Sequence, residues 1–316
     1  MTSSRLTDAP GPWPFRLALA TCLAAIPLLV FGGMVTTTQS GMAIDGWLTL
    51  EPGRGDHFLL FYPLEKWFRD QGTFLEHTHR LFGVLVGLFS IATVVASWRQ
   101  RPTQSAGLAA FIGLALVGVQ GWVGGSRVLE ASPSLAFLHG ALAQIVFAYL
   151  AWLAAYLSPR RVVAQEIEDD ASAALRRGSR LALIVTYVAI FSGAWLRHAF
   201  SHMALGVHIL LVFAALAVVF AFVGKAKRQA EGDPRRRPLR MVGLRLHILV
   251  GLQLLLGLAS FWIVVMVAPK DDPDVHHSLY PTLHVLFGAL VLSQLAAGTL
   301  WTTRVDPPAA SPESSP

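Results

Sequence analysis

Residues 78–98 read THRLFGVLVGLFSIATVVASW, directly after Glu76-His77. Past Arg80 the stretch carries no charged residue, and a run of about twenty apolar residues spans a hydrocarbon core of roughly 30 Å. Lipid offers no hydrogen-bond partner to a backbone, so such a run closes its own bonds as a helix. Working outward, seven further runs have the same character, at about 17–38, 106–126, 135–157, 181–198, 203–224, 244–268 and 282–303. The fold class expected is all-α and integral to a membrane: eight transmembrane helices arranged as two pseudo-symmetric four-helix bundles.

Composition agrees. Of 316 residues 54% are hydrophobic and only 14% charged, where a soluble domain carries about a quarter charged residues. The first run is too long for a cleaved leader, lacks a small-residue cleavage site, and ends in Thr36-Thr37-Thr38-Gln39. Basic residues set the orientation. With the N-terminus inside, 18 of the 25 Lys and Arg face the cytoplasm: Arg5, Arg16, Arg99, Arg101, five arginines in 160–180, eight Lys/Arg in 225–245, and Arg304. The positive-inside rule therefore places both termini in the cytoplasm, and the expected location is the bacterial cell (inner) membrane. The net charge of +6 belongs to these anchoring loops, so Arg235-Arg236-Arg237 is not read as a nucleic-acid site. One cysteine, Cys22, excludes an intrachain disulfide and a Cys-based metal site.

The spans divide four and four. Residues 1–16 form a cytoplasmic tail, 17–157 the first half, 158–180 a solvated charged linker, 181–303 the second half, and 304–316 a Pro/Ser-rich tail expected to be disordered. Leu138-His139-Gly140-Ala141-Leu142 is echoed by Leu283-His284 and Gly288-Ala289-Leu290, and Gly121–Gly125 loosely by Gly251–Gly257. An even split makes the repeat parallel in the membrane. The first outer loop, 39–77, contains Tyr62–Arg69, expected as a short amphipathic helix in the interface.

Eleven histidines are present, and their placement matters more than their number. His57, His276 and His277 fall in outer loops, and His198 and His202 flank a very short outer turn. His79, His139, His208 and His284 each stand in the first residues of an even-numbered span. All four therefore lie at one depth, in the outer part of the bilayer. A single intramembrane histidine is more often a hydrogen-bonded packing residue. Four at one depth, two per half, point instead to axial ligands of haem iron. Gly83, Ala143 and Gly288 follow three of them by one turn and leave room on the same helix face, although helix packing alone also explains small residues. His247, beside Arg245, is read as interfacial.

Glu76-His77-Thr78-His79-Arg80 is the chemically richest stretch. On a helix Glu76, His79 and Arg80 share a face. The plain reading is an ion pair at a helix start; the functional one sets a carboxylate beside a haem edge, with Arg80 pairing a propionate. No acid holds the matching position before His208 or His284, so the first half reads as reactive and the second as a plain cofactor site.

On these residues the chain resembles the haem A synthases, eight-span enzymes of two four-helix halves. The likeness rests on Glu76-x-x-His79-Arg80, on His139 with Gly140-Ala141-Leu142-Ala143-Gln144, on His284 with Gly288-Ala289, and on Phe31–Thr36 with Ser40-Gly41, and covers roughly 20–303. It implies oxidation of the C8 methyl of haem O to a formyl group, giving haem A for terminal oxidases. It further implies a substrate haem near Glu76, His79 and His139, and haem b on His208 and His284. Haem O, membrane lipid, a haem O synthase and terminal oxidase assembly factors are the partners it implies. The chain departs from the family in lacking the outer-loop cysteine pair common among bacterial members, in its short fifth-to-sixth turn, and in Ile209 after His208, where arginine is common; His202 competes with His208 as ligand. Competing functions are a diheme b-type electron carrier, in which Glu76 is only an ion-pair partner, and a haem transporter or chaperone with labile single-histidine sites.

Overall fold

The computed structural model describes residues 11–100, 104–167, 169–267 and 275–307. Among these are eight helices long and apolar enough to cross a membrane: Trp13–Thr37, Gln71–Gln100, Gln104–Leu129, Pro133–Tyr156, Asp170–His198, His202–Gly232, Pro234–Val264 and His277–Trp301. They match the eight apolar runs one for one. Several extend well past them. The second begins at Gln71 and the fifth at Asp170, because polar caps outside the apolar stretch start the helix early. Asp169 accepts a hydrogen bond from the Ser172 amide, Ser132 from Leu135 and Ser201 from Ala204, the N-cap arrangement that satisfies otherwise orphaned donors.

The helices pack in chain order, first on second through third on fourth, and likewise fifth through eighth. The two sets meet where the eighth helix lies against the first and fourth, and where the fourth lies against the fifth. Buried positions are dominated by small side chains, among them Ala18, Ala110, Ala141, Ala182, Ala226 and Ala289, which let helix backbones approach closely. Large apolar side chains point outward: Leu88, Ile91, Trp98, Leu210, Phe213, Leu255 and Leu258 are all exposed. In water each would forgo about 1.5–3 kcal/mol of burial, so this surface suits lipid and the molecule is a multi-pass membrane protein.

Connections at the two ends differ from the sequence-based picture. The 38–70 loop folds on itself through an antiparallel ribbon, Thr49–Leu50 with His57–Phe58, and one short helical turn, Leu64–Trp67. That turn lies inside the expected amphipathic stretch and is flanked by exposed Phe61, Leu64 and Phe68. At the opposite end the linker is partly ordered. Residues 170–180 belong to the fifth helix, and Gln165–Glu166 pairs with Arg304–Val305. Arg160 bonds Asp306 at 2.7 Å, Arg304 bonds Glu166 at 3.2 Å, and the Asp306 amide donates to Arg235. The first residues of the expected tail are thus tied to the linker; its remainder, with the 1–10 part of the N-terminal tail, lies outside the described residues.

Candidate functional site

The four histidines meet as two pairs. His79 and His139 have ring centroids 6.3 Å apart and planes at 85°; His208 and His284 have 6.5 Å and 89°. A ring nitrogen stands about 1.2 Å from its centroid and a metal–imidazole bond is about 2 Å, so two imidazoles facing across one metal have centroids roughly 6–6.5 Å apart. Both pairs have that spacing. His208, not His202, faces His284; His202 is exposed beside Phe200.

Each imidazole is set by a glycine on the preceding helix. A β-carbon at Gly32 would come within 2.7 Å of the His79 ring, at Gly124 within 2.8 Å of His139, at Gly193 within 2.8 Å of His208, and at Gly257 within 2.9 Å of His284. At three of the four sites the residue four before the glycine offers its carbonyl to the same ring. His79 Nδ1 lies 3.0 Å from Leu28 O, His208 Nδ1 3.1 Å from Ala189 O, and His284 Nδ1 3.2 Å from Gln253 O. At His139 the neighbour is instead the Gln120 side-chain amide, 3.1 Å from Nδ1 and 2.9 Å from the His139 carbonyl. A carbonyl can only accept, so in His79, His208 and His284 Nδ1 carries the proton and the neutral ring keeps its lone pair on Nε2. Among the described residues Nε2 of His79 and of His208 has no hydrogen-bond partner, while the Gln120 and Gln253 amides approach Nε2 of His139 and His284 at 3.4 and 3.5 Å. An imidazole oriented through Nδ1, with Nε2 available, is the usual metal-ligand arrangement.

The sequence places room-making residues one turn after three of the four histidines, and Gly83 is open, with its nearest neighbour at 4.0 Å. In the structure Gly288 is already filled by the Gln253 side chain at 3.2 Å. The glycines that touch the rings sit on the odd-numbered helices. The available signal was a residue–x-x-x–Gly step in each odd span, visible as Gln120-x-x-x-Gly124 and Gln253-x-x-x-Gly257, but a step this common in packed helices does not single itself out.

Glu76 and Arg80 act together on the 38–70 loop. Glu76 is 2% exposed; one carboxylate oxygen accepts from Arg80 at 2.6 Å and the other from the Ile44 amide at 3.0 Å. Arg80 also donates to the carbonyls of Gly46, Trp47 and Ile44, so four of its five N–H groups hold the loop and Glu76. The ring of Trp47 in turn lies against Gly125, next to the glycine that carries His139. The loop is therefore fastened across the helix ends beside the first pair. Farther out, Lys66 bonds Glu51, which holds that carboxyl below its ordinary range.

The second pair has no such cover from its own fifth and sixth helices, which are joined only by residues 199–201. Ser192 bonds His208 Nδ1 at 3.0 Å, and Ile209, exposed, turns away from any such network. His247 bonds the Gly243 carbonyl on its own helix and takes no part. His277 lies in the eighth helix rather than in a loop. His77, which sequence reading left without a role, is buried between Tyr62 and Trp67, with centroids 5.0 Å from each. Among the described residues no cluster of three or more His, Cys, Asp or Glu could hold a metal; the candidate centres are the two pairs.

The family model COX15-CtaA, described as cytochrome oxidase assembly protein, matches residues 63–203, which contain Glu76, His79, Arg80 and His139. A protein named heme A synthase from Beijerinckia indica subsp. indica is 29% identical over 219 residues, covering 61% of this chain and 59% of that one. Over these spans the chain is similar to the haem A synthases, which supports its assignment to that family. Two more proteins with that printed name, from Symbiobacterium thermophilum and Shouchella clausii, are each 26% identical, over 60% and 58% of both chains. The chain thus spans about three fifths of the length of the curated relatives it matches.

Proposed function

We propose that this protein is a haem A synthase that oxidises the C8 methyl of haem O to a formyl group, with His79 and His139 holding the substrate haem and His208 and His284 holding a resident haem b. The observation that carries the reading is the spacing of the two histidine pairs, each suited to one iron, in a chain similar to this family. Bound haem would supply the redox chemistry. Residues of the chain do the rest: carbonyls at positions 28, 189 and 253 and the Gln120 side chain orient the imidazoles, and the 38–70 loop covers the first pair. Glu76, the one fully buried carboxylate among the described residues, stands as proton acceptor and counter-charge while the methyl carbon loses its hydrogens.

In this reading the first four helices form the substrate half and the last four the electron-relay half, related pseudo-symmetrically. The histidine end faces outward and both termini lie in the cytoplasm, as the distribution of basic residues supports. Membrane lipid surrounds the helices, and a haem O synthase and terminal oxidase assembly factors are the partners.

One observation favours a second reading. The two pairs are nearly alike in separation and angle, as two relays in a diheme electron carrier would be. Haem extraction from purified wild type and Glu76→Ala separates them. Haem O and haem A in the wild type, with haem A lost in the variant, supports the synthase. Haem B alone in both sinks it and leaves the electron carrier.

A further inference from the structure

Two half-buried arginines at the histidine end have no carboxylate partner among the described residues. Arg127 lies three residues beyond Gly124 and Arg197 four residues beyond Gly193, so each shares the helix face that carries a ligand histidine. Among the described residues neither forms a salt bridge. Arg127 makes one long hydrogen bond, 3.3 Å to the Gly41 carbonyl, and is laid so close to Gly41 that a β-carbon there would meet Nη2 at 2.6 Å. Through space it acts on His79, His139, Glu76 and Arg80. Glu76 is already paired to Arg80, which leaves this group of three ions one positive charge in excess. Arg197 donates to the Gly33 carbonyl at 2.7 Å and to the Thr37 hydroxyl, both on the first helix, and acts through space on His284 and His198.

Unneutralised guanidinium groups in a low-dielectric site are costly unless an anion joins them. Arg80 cannot be the recipient of a ligand carboxylate in this arrangement, because its terminal N–H groups are all engaged. We propose that Arg127 and Arg197 are the carboxylate anchors of the two sites, Arg127 for the porphyrin at His79–His139 and Arg197 for the porphyrin at His208–His284. A guanidinium holds a carboxylate through charge-assisted N–H bonds; among the described residues Arg127 donates only once, from Nη2, and Arg197 keeps Nε and Nη1 beyond its two Nη2 bonds to the first helix. The propionate edge of each porphyrin then faces the histidine end of the bundle, and Arg197, not a residue adjoining His208, serves the second site. This assignment rests on the haem reading above.

The test is competition between iron protoporphyrin IX and its dimethyl ester, read by extracting bound haem from the full-length protein. His284→Ala confines binding to the first pair and His79→Ala to the second. Each background is expected to select the free acid at least tenfold over the ester. Adding Arg127→Gln to the first, or Arg197→Gln to the second, should bring that preference below about threefold (a loss of discrimination of roughly 0.7 kcal/mol or more), with the lysine variants intermediate. A tenfold preference retained in either glutamine variant overturns the anchor at that site. Where a glutamine variant does not accumulate, an undiminished preference in the lysine variant, which keeps the charge but loses the fork, does the same. Absence of any bis-histidine haem spectrum in the wild type instead overturns the haem reading itself.

Discussion

The two histidine pairs are built alike and covered differently. Each has two imidazoles spaced for one metal between them, each ring seated on a glycine and, in three of the four, tied to a helix carbonyl. The first pair lies beside a loop of more than thirty residues clamped by Glu76 and Arg80; the fifth and sixth helices of the second are joined by three. Ligand geometry is therefore a property of the helices, and what distinguishes the sites is the loop. A reacting site gains from exclusion of water, which strengthens every electrostatic interaction within it. An electron-relay site needs only its ligands.

The comparison breaks most completely at the ligands. His284→Ala should abolish the spectrum of the second haem while the first remains, and His139→Ala the converse, both seen in optical spectra of the purified protein. Loss of both haems from either change would mean the pairs are not independent. Next in size are the glycines. Gly124→Val or Gly257→Val drives a side chain into an imidazole that leaves under 3 Å of room and should lower haem occupancy of that pair at least tenfold, whereas Gly206→Ala, with nothing within 4 Å, should leave occupancy unchanged. Equal effects at all three would remove the glycine seats from the account.

Glu76→Gln sharpens the contrast between the halves. It leaves Arg80 buried without its counter-charge, a loss of about 3–5 kcal/mol for a broken buried pair, so haem A formation should fall more than tenfold while the second haem keeps its spectrum. A variant that still makes haem A at the wild-type rate would strip Glu76 of its role. The smallest effect expected is from acid. The Glu51 carboxyl is held low chiefly by its hydrogen bond to Lys66, so its contribution to loop order is complete above the ordinary carboxylate pKa and disappears as pH falls through the lowered value. Hydrogen exchange in the 49–66 segment should therefore rise on acidification and be flat in Glu51→Gln, with residues 199–201 indifferent to either change.

Much of this was legible in the sequence. Eight uninterrupted apolar runs leave lipid-spanning helices as the only way to satisfy the backbone, and one histidine near the start of each even run gives a common depth without any knowledge of packing. The partner of each histidine was less accessible: His208 and His202 stand six residues apart, and only the rotation of the sixth helix selects His208. The role of Arg80 was hidden for a different reason. Its i,i+4 relation to Glu76 is local and readable, but its three carbonyl acceptors lie more than thirty residues upstream in a loop whose shape no periodicity encodes. The same holds for the ordered linker, since pairing of Gln165–Glu166 with Arg304–Val305 joins residues 138 positions apart at Glu166 and Arg304. Polarity predicts solvation there and says nothing of pairing.

Every contact that shapes a histidine pair is made within one set of four helices: Gly32 and Gly124 serve the first pair, Gly193 and Gly257 the second. The covalent connection between the sets, near residue 166, contributes to neither. Cut there, the chain would become two polypeptides, each carrying one histidine pair with its glycine seats and meeting the other along the seam of the first, fourth, fifth and eighth helices. Two separately encoded halves could then be replaced, duplicated or lost one at a time.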